Sequence, residues 1–208
     1  RDPDENLVEL YVNGDRTWRE NPRVLLAESG AIDWAEASGT TRERADAVEV
    51  RVAATADSAA LATVVAAFRD HLKADGPSDS QIAARLPVLL GDTTIEFACA
   101  WRDGRAVGYT HTRFYDSLWA AGQEALLEDL YVLPEARGLG VGRALLRHAI
   151  RRACQRGARA LGLTTNEQNE TAQSLYRGEG LRPQSARIWP NGREVRWVID
   201  LSSISQEA

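Results

Sequence analysis

Apolar and polar positions change rhythm several times along this chain, and each change marks an element. Val48 to Ala53 alternates and predicts a first strand. Leu61, Val64, Val65, Phe68 and Leu72 then recur at helical spacing behind Asp57 and Ser58, two residues suited to capping. An amphipathic helix over 57–74 follows, broken by Gly76-Pro77. Ser78 or Ser80 opens a second helix carrying Ile82 and Leu86. Pro87 is expected to end or kink it, with Gly91 closing the segment.

Strand signals come next in series: Thr94 to Trp101, Ala106 to Phe114 and Ala125 to Leu133, with Asp103-Gly104 as a hairpin turn. From Gly140 to Arg156 the period returns to helical. Val141, Leu145 and Ile150 form the apolar stripe, Arg143, Arg147, Arg151 and Arg152 a solvated basic face, and Gly157 the stop. Ala160 to Thr164 predicts a strand, and Thr171 to Arg177 a helix. Leu181 to Trp189 and Glu194 to Leu201 predict two last strands around Pro190-Asn191-Gly192. The fold class is α/β.

Between the third strand and the long helix lies the chain's most informative loop. Arg137, Gly138, Gly140 and Gly142 lead straight into the helix start. Backbone N–H groups there lack partners inside the helix, and the helix dipole makes that end positive. Glycines let a ligand approach the backbone, so the segment is a phosphate cradle. Spacing decides against two common loops. A dinucleotide fingerprint counted from Gly138 needs a glycine where Arg143 stands, and counted from Gly140 it meets Leu145. No Gly-Lys-Ser/Thr occurs, so it is not a Walker loop. The remaining pattern, Arg-x-x-Gly-x-Gly from Arg137 to Gly142, resembles the acetyl-CoA loop of the GNAT superfamily of N-acetyltransferases. A second match follows in order: Asn169, Ala172, Leu175 and Tyr176, then Gly180-Leu181, resemble that family's Asn-x-x-Ala-x-x-Leu-Tyr signature. The predicted order of strands and helices is also the one expected of the GNAT fold, which implies a mixed, mostly antiparallel sheet flanked by helices.

The resemblance implies a reaction, transfer of an acetyl group from acetyl-CoA to an amine, and roles for residues. The amides of Gly138, Leu139, Gly140, Val141, Gly142 and Arg143 would hold the pyrophosphate, with Arg137 and Arg143 adding charge. The backbone of Leu130, Tyr131 and Val132 would pair with the pantetheine arm, one N–H holding the developing oxyanion. Asn169 would bond the cofactor arm. Tyr176 matches the general acid beside the CoA sulfur. An amine arrives protonated and needs a base. Leu127-Glu128-Asp129-Leu130-Tyr131-Val132 resembles the Leu-Glu-Asp-aromatic segment of diamine (spermidine/spermine-type) N-acetyltransferases, in which the Glu acts through water. Glu128 is thus the candidate base, a structural carboxylate being its alternative. Adjacent strand residues face opposite ways, so only one of Glu128 and Asp129 is expected to look toward the acceptor, with Asp129 structural. Direct attack without an acyl-enzyme is expected.

The acceptor is less defined. The loop from Phe114 to Glu124 is expected at its mouth. Asp116, Glu124 and Glu128 would suit a cationic amine, and Tyr115 and Trp119 could stack on one, though Trp119 is equally a packing residue. A polyamine-like small molecule leads; aminoglycosides, amino acids and protein N-termini stay open. So does a non-catalytic acyl-CoA-binding sensor of the same fold.

Composition excludes other classes. With a net charge of −5 over 208 residues, no broad basic surface calls for nucleic acid. No apolar run approaches the ~20 residues of a bilayer span. Cys99 and Cys154 lack metal spacing and read as buried thiols, which fits a cytoplasmic, reducing location. Oligomeric state is not readable, although homodimers are frequent among similar proteins.

The front of the chain reads separately. Asp2-Pro3-Asp4 and the β-rich run from Leu7 to Val12 resemble the closing strand of the vicinal oxygen chelate (glyoxalase/extradiol dioxygenase-like) superfamily. Glu9 would be its metal-binding Glu, and Glu5 departs from the usual glycine. The further ligands are missing, so no metal is assigned. Residues 1–20 are taken as this remnant or a polar arm, 21–46 as a linker, and 47–204 as the acetyltransferase domain. The absence of methionine and the start at Arg1 suggest a fragment of something longer.

Overall fold

The computed structural model describes residues 48–118, 120–165, 168–182, 188–189 and 192–193. The arm and linker of residues 1–46, with Glu9, lie outside them. So do Trp119 and the strand expected from Glu194 to Leu201, while of Leu181 to Trp189 only the ends are described.

Five strands form one sheet in the order β1-β2-β3-β4-β5: Glu49–Val52, Ile95–Arg102, Arg105–Ser117, Gly122–Val132 and Leu161–Leu163. The first four are antiparallel, and β5 runs parallel to β4. The β2–β3 hairpin turns at Asp103 and Gly104, both with positive φ (50° and 74°), the geometry that follows strand twist in a two-residue turn. A two-residue pair, β6 (Ile188–Trp189) with β7 (Gly192–Arg193), stands apart from the sheet.

Helix α1 (Ser58–His71) stops three residues short of its predicted end. Lys73 takes a left-handed backbone (φ 54°), which a continuing helix forbids. Helix α2 (Asp79–Leu90) begins at a capping box: the Ser78 hydroxyl accepts from Gln81 N at 3.3 Å, and the Gln81 side chain accepts from Ser78 N at 2.8 Å. Pro87 does not end it. The helix continues to Leu90, and Gly91 N donates to the Pro87 carbonyl at 3.2 Å. Helix α3 is Val141–Gln155 and α4 is Glu170–Gly178.

The helices cover opposite faces of the sheet. Phe68 of α1 packs on Tyr109 and Tyr131, with ring centroids 6.2 and 5.1 Å away. The neighbouring strand positions point the other way, toward α3. Arg152 reaches from α3 to the buried Glu96 through two bonds, Nε to Oε1 at 2.9 Å and Nη2 to Oε2 at 2.7 Å. That pair corrects the expectation of a wholly solvated arginine face, since Arg152 straps α3 to β2. Gly108 is where β3 meets β4 and α3 at once. A Cβ there would lie 2.7 Å from the Tyr131 carbonyl and 3.1 Å from Leu145, so only glycine fits. The main core cluster runs from Leu61, Val64 and Phe68 through the sheet to Leu145 and Leu146, and a second, small cluster joins Phe114, Ala125 and Ala153. Each such side chain contributes roughly 1.5–3 kcal/mol by leaving water.

Candidate active site

Two features of β4 organise the site. Its parallel pairing with β5 covers only Ala125, Leu126 and Leu127. Past Leu127 the strands part. Leu130, Tyr131 and Val132 keep β3 on one side (Tyr109 opposite Tyr131, Gly108 opposite Val132) and have no strand on the other among the described residues. A bare strand edge is a template for an extended ligand with amide groups. The cleft leads to the start of α3. There Gly138 and Gly140 both hold left-handed backbones (φ 72° and 79°), and Gly140 is the N-cap. Neither has a heavy atom within 4 Å of where a Cβ would stand. The glycines therefore serve the turn that aims the α3 amides outward. Val141 is buried beneath it, and Leu139 is half exposed.

The arginines are used differently from expectation. Arg137 folds back, its Nε donating to the Val132 carbonyl at 3.1 Å and its guanidinium lying 5.8 Å from the Tyr131 ring. It braces the loop on the strand edge. Arg143 is drawn to Glu179 at 3.0 Å, and Arg147 to the same carboxylate at 2.7 Å. The Glu179 side chain is buried, so these pairs tie the start of α3 to the end of α4. Arg143, expected to add charge at the diphosphate, is thus committed elsewhere, and Arg147 is not a free surface cation.

On α4, Asn169 is the N-cap, its Oδ1 accepting from Ala172 N at 3.0 Å. The residue is buried, and its Nδ2 has no partner among the described residues. A buried amide donor without an acceptor is costly, which marks a place where a ligand carbonyl or hydroxyl belongs. Tyr176 is buried on the same helix, and its hydroxyl makes no hydrogen bond among the described residues. Burial pushes that phenol up to about 12, so it carries its proton throughout the physiological range. The bare edge, the glycine turn and the orphan donor of Asn169 fit acetyl-CoA: backbone for the pantetheine and diphosphate, and a held proton for a leaving thiolate.

The second feature is a bulge. His111 pairs with Asp129 but Thr112 pairs with Leu127, so Glu128 is one residue extra. Its consequence overturns the expectation that Glu128 and Asp129 face opposite ways. His111 Nδ1 lies 3.2 Å from Glu128 Oε2 and 3.4 Å from Asp129 Oδ2, so both carboxylates share one face. Tyr109 donates its hydroxyl to Asp129 at 3.1 Å, and that pair holds the phenol proton firmly, its pKa raised by burial and by the carboxylate. Arg113 meets Glu128 at 3.1 Å through Nε and 3.3 Å through Nη2. His111 lies flat on Phe97, rings 4.4 Å apart and 7° from parallel. It was not among the residues singled out from the sequence. The only signal for it was its place on the same face as Tyr109, two positions along β3.

The acceptor mouth also differs from the expected loop. Residues 114–124 mostly continue the β3–β4 hairpin, pairing Tyr115 with Glu124 and Asp116 with Gln123. Tyr115 donates its hydroxyl to the fully buried Glu124 at 2.8 Å, so Glu124 is a supporting group. Asp116, next to Tyr115 on a regular strand, points to the opposite face and leaves the candidate set. Cys154 is exposed on α3 rather than buried, while Cys99 is buried, and both are free thiols. Among the described residues no group of His, Cys, Asp and Glu has the geometry of a metal site.

Comparison with known proteins fits this geometry. The family model described as "Acetyltransferase (GNAT) family" matches residues 62–180, from α1 to the end of α4. An uncharacterized N-acetyltransferase of Bacillus subtilis, YhfO, is 34% identical over 134 residues, 64% of this chain and 89% of the relative. A solved putative acetyltransferase from Arthrobacter sp. FB24 superposes with a TM-score of 0.62 at 25% identity, over 79% of this chain and 99% of that one. A further fold neighbour, at 18% identity and a TM-score of 0.59, is the aminoglycoside N-acetyltransferase AAC(6')-Iy in complex with CoA, matched over 74% of this chain and 95% of that one. A chain whose strand edge, glycine turn and tyrosine helix all fall inside that family match belongs to the acetyltransferase (GNAT) family and is an acetyl-CoA-dependent N-acetyltransferase.

Proposed function

We propose that the protein acetylates the primary amine of a small cationic molecule by direct attack, with Tyr176 as acid and Glu128 as base. The observation that carries this reading is the bulge, which sets two carboxylates on the face of β3 and β4 that runs out from beneath α1. An ammonium approaching that floor meets negative charge, and Glu128, tied to Arg113 and His111, stays fixed while it receives a proton through water. A polyamine-like acceptor is the case suggested by the Leu127 to Val132 segment.

Acetyl-CoA supplies the activated acyl group. The α3 amides and the edge of Leu130 to Val132 bind and orient it, and one edge N–H stabilises negative charge growing on the carbonyl oxygen. Asn169 Nδ2 fixes the arm. The Tyr176 phenol gives its proton to the departing sulfur, a role that its high pKa and unbonded hydroxyl support. No side-chain nucleophile is required. Cys99 is buried, its thiol pushed up to about 12 chiefly by burial, and Cys154 sits on the wrong element. The two free cysteines go with a cytoplasmic location.

The test is CoA release measured with acetyl-CoA and a panel of primary amines. Turnover with one or more small amines supports the proposal. Tight acetyl-CoA binding with no turnover on any amine would instead make the protein a sensor.

A further inference from the structure

The acceptor floor holds one cation, Arg113, with more donors than its contact with Glu128 uses. Arg113 stands on β3 opposite Leu126, on the face that carries Tyr109, His111 and Tyr115. Its side chain is 51% exposed, whereas that of the Glu128 it pairs with is 7% exposed. The pairing uses one side of the guanidinium, Nε and Nη2. Nη1 makes no hydrogen bond among the described residues, so the outward fork of the group is open to solvent.

Here the acid is sunk and the base of the pair stands out over the floor. The charged groups beside it on β3 and β4, Glu124, Glu128 and Asp129, are acidic, and the next cation of that face, Arg51, lies across the sheet on β1, paired with Asp57. One guanidinium among them makes the floor bipolar: carboxylates to take an ammonium, and beside them a planar fork shaped for a carboxylate. A polycation would have to lay one of its ammonium groups against Arg113, a like-charge contact.

We propose that Arg113 is a specificity-determining residue that receives the acceptor's carboxylate, so that the enzyme prefers amino acids to the corresponding simple amines. This rests on the acetyltransferase reading above and puts an amino acid in place of its polyamine-like acceptor. A carboxylate arriving at Nη1 leaves the Nε and Nη2 bonds to Glu128 in place, so the acid that takes the proton keeps its anchor while the substrate is held.

The experiment uses matched acceptors that differ only in the carboxylate: lysine with cadaverine, ornithine with putrescine, alanine with ethylamine. For the wild type, kcat/KM is expected to be at least about tenfold higher for the amino acid of the best pair, the gain of one charge-assisted contact. Arg113→Gln should lower kcat for both members of each pair, because Glu128 loses its anchor, and in addition raise KM for the amino acid alone, so that the amino-acid/amine ratio of kcat/KM falls by about 10- to 100-fold. Arg113→Lys should fall between the two, since it keeps charge without the fork. Melting curves on all three proteins show whether the variants are folded. Equal losses on both members of a pair would reduce Arg113 to a positioning group for Glu128 and overturn the proposal, as would a wild type indifferent to the carboxylate. A wild type that turns over no amine at all would take down the acetyltransferase reading and this one together.

Discussion

The two sides of the cleft are made of different material. On the side of α3 the reactive surface is backbone: the bare edge of Leu130 to Val132 and the amides behind Gly138 and Gly140. On the side of β3 it is side chain: Tyr109, His111, Arg113, Glu128 and Asp129 held in mutual contact by one inserted residue. A backbone surface binds a constant ligand and depends on φ and ψ. A side-chain surface carries the proton chemistry and the choice of acceptor, and depends on register. Changes on the first side should act on cofactor affinity, and changes on the second on turnover and selectivity.

The largest effect expected is at Tyr176, the proposed acid. Tyr176→Phe should lower kcat by about 100-fold or more, the usual worth of a placed general acid. Calorimetric affinity for acetyl-CoA should stay within about twofold. Because the phenol sits near 12, raised by burial, it should place no basic limb in the pH–rate profile below about pH 10.

His111 comes next and sharpens the division. His111→Leu removes the donor between two carboxylates that the bulge forces together. We expect kcat to fall about 10- to 100-fold, because Glu128 and Asp129 lose the group that positions them. His111→Asn, which keeps a donor near the Nδ1 position, should recover most of the loss. A change in acetyl-CoA affinity in either variant would break the separation of the two sides.

Gly140→Ala is the converse test. A Cβ there meets no neighbour, so its only cost is the left-handed backbone (φ 79°), about 1–2 kcal/mol. The glycine turn should distort, and acetyl-CoA binding should weaken by about tenfold with kcat at saturation little changed.

The smallest effects lie away from the cleft. Asp57 pairs with Arg51 at 2.6 and 2.8 Å and accepts from Ala54 N at 2.8 Å. The Arg51 bond, chief among the causes, lowers its pKa from 3.8 to about 2. A depressed folded-state pKa stabilises above the unfolded value. Asp57→Asn should therefore lower the melting temperature by a constant few degrees (about 1 kcal/mol) above roughly pH 4. That difference from wild type should shrink as pH falls toward 2. Activity at saturating substrate should not change.

The contrast between backbone and side chain also explains what could be read in the residues alone. Glycine and arginine spacing before a helix specifies a backbone conformation locally, so the loop at 137–143 and the helix carrying Asn169 and Tyr176 were legible. The helix and strand order was legible for the same reason, because it follows from period. The floor was not. Strand alternation assigns Glu128 and Asp129 to opposite faces, and only a register shift against His111 and Thr112, a property of two strands together, reverses that. Asp116 failed by the same rule working normally. Nor did Pro87 stop α2: Ile82 and Leu86 are buried against the core, and the helix runs one turn further to Leu90 despite the missing N–H. Arg143, Arg147 and Arg152 looked alike on a helical wheel, and their carboxylate partners lie on β2 and beyond α4, far away in the chain.

The most direct check of the account is a backbone amide NMR titration of the protein with CoA. The predicted result is that the largest shifts cluster at Gly138 to Arg143 and along Leu130 to Val132, while His111, Arg113 and Glu128 move little until an amine acceptor is added. Shifts centred on the β3–β4 floor with the 138–143 amides unmoved would contradict it.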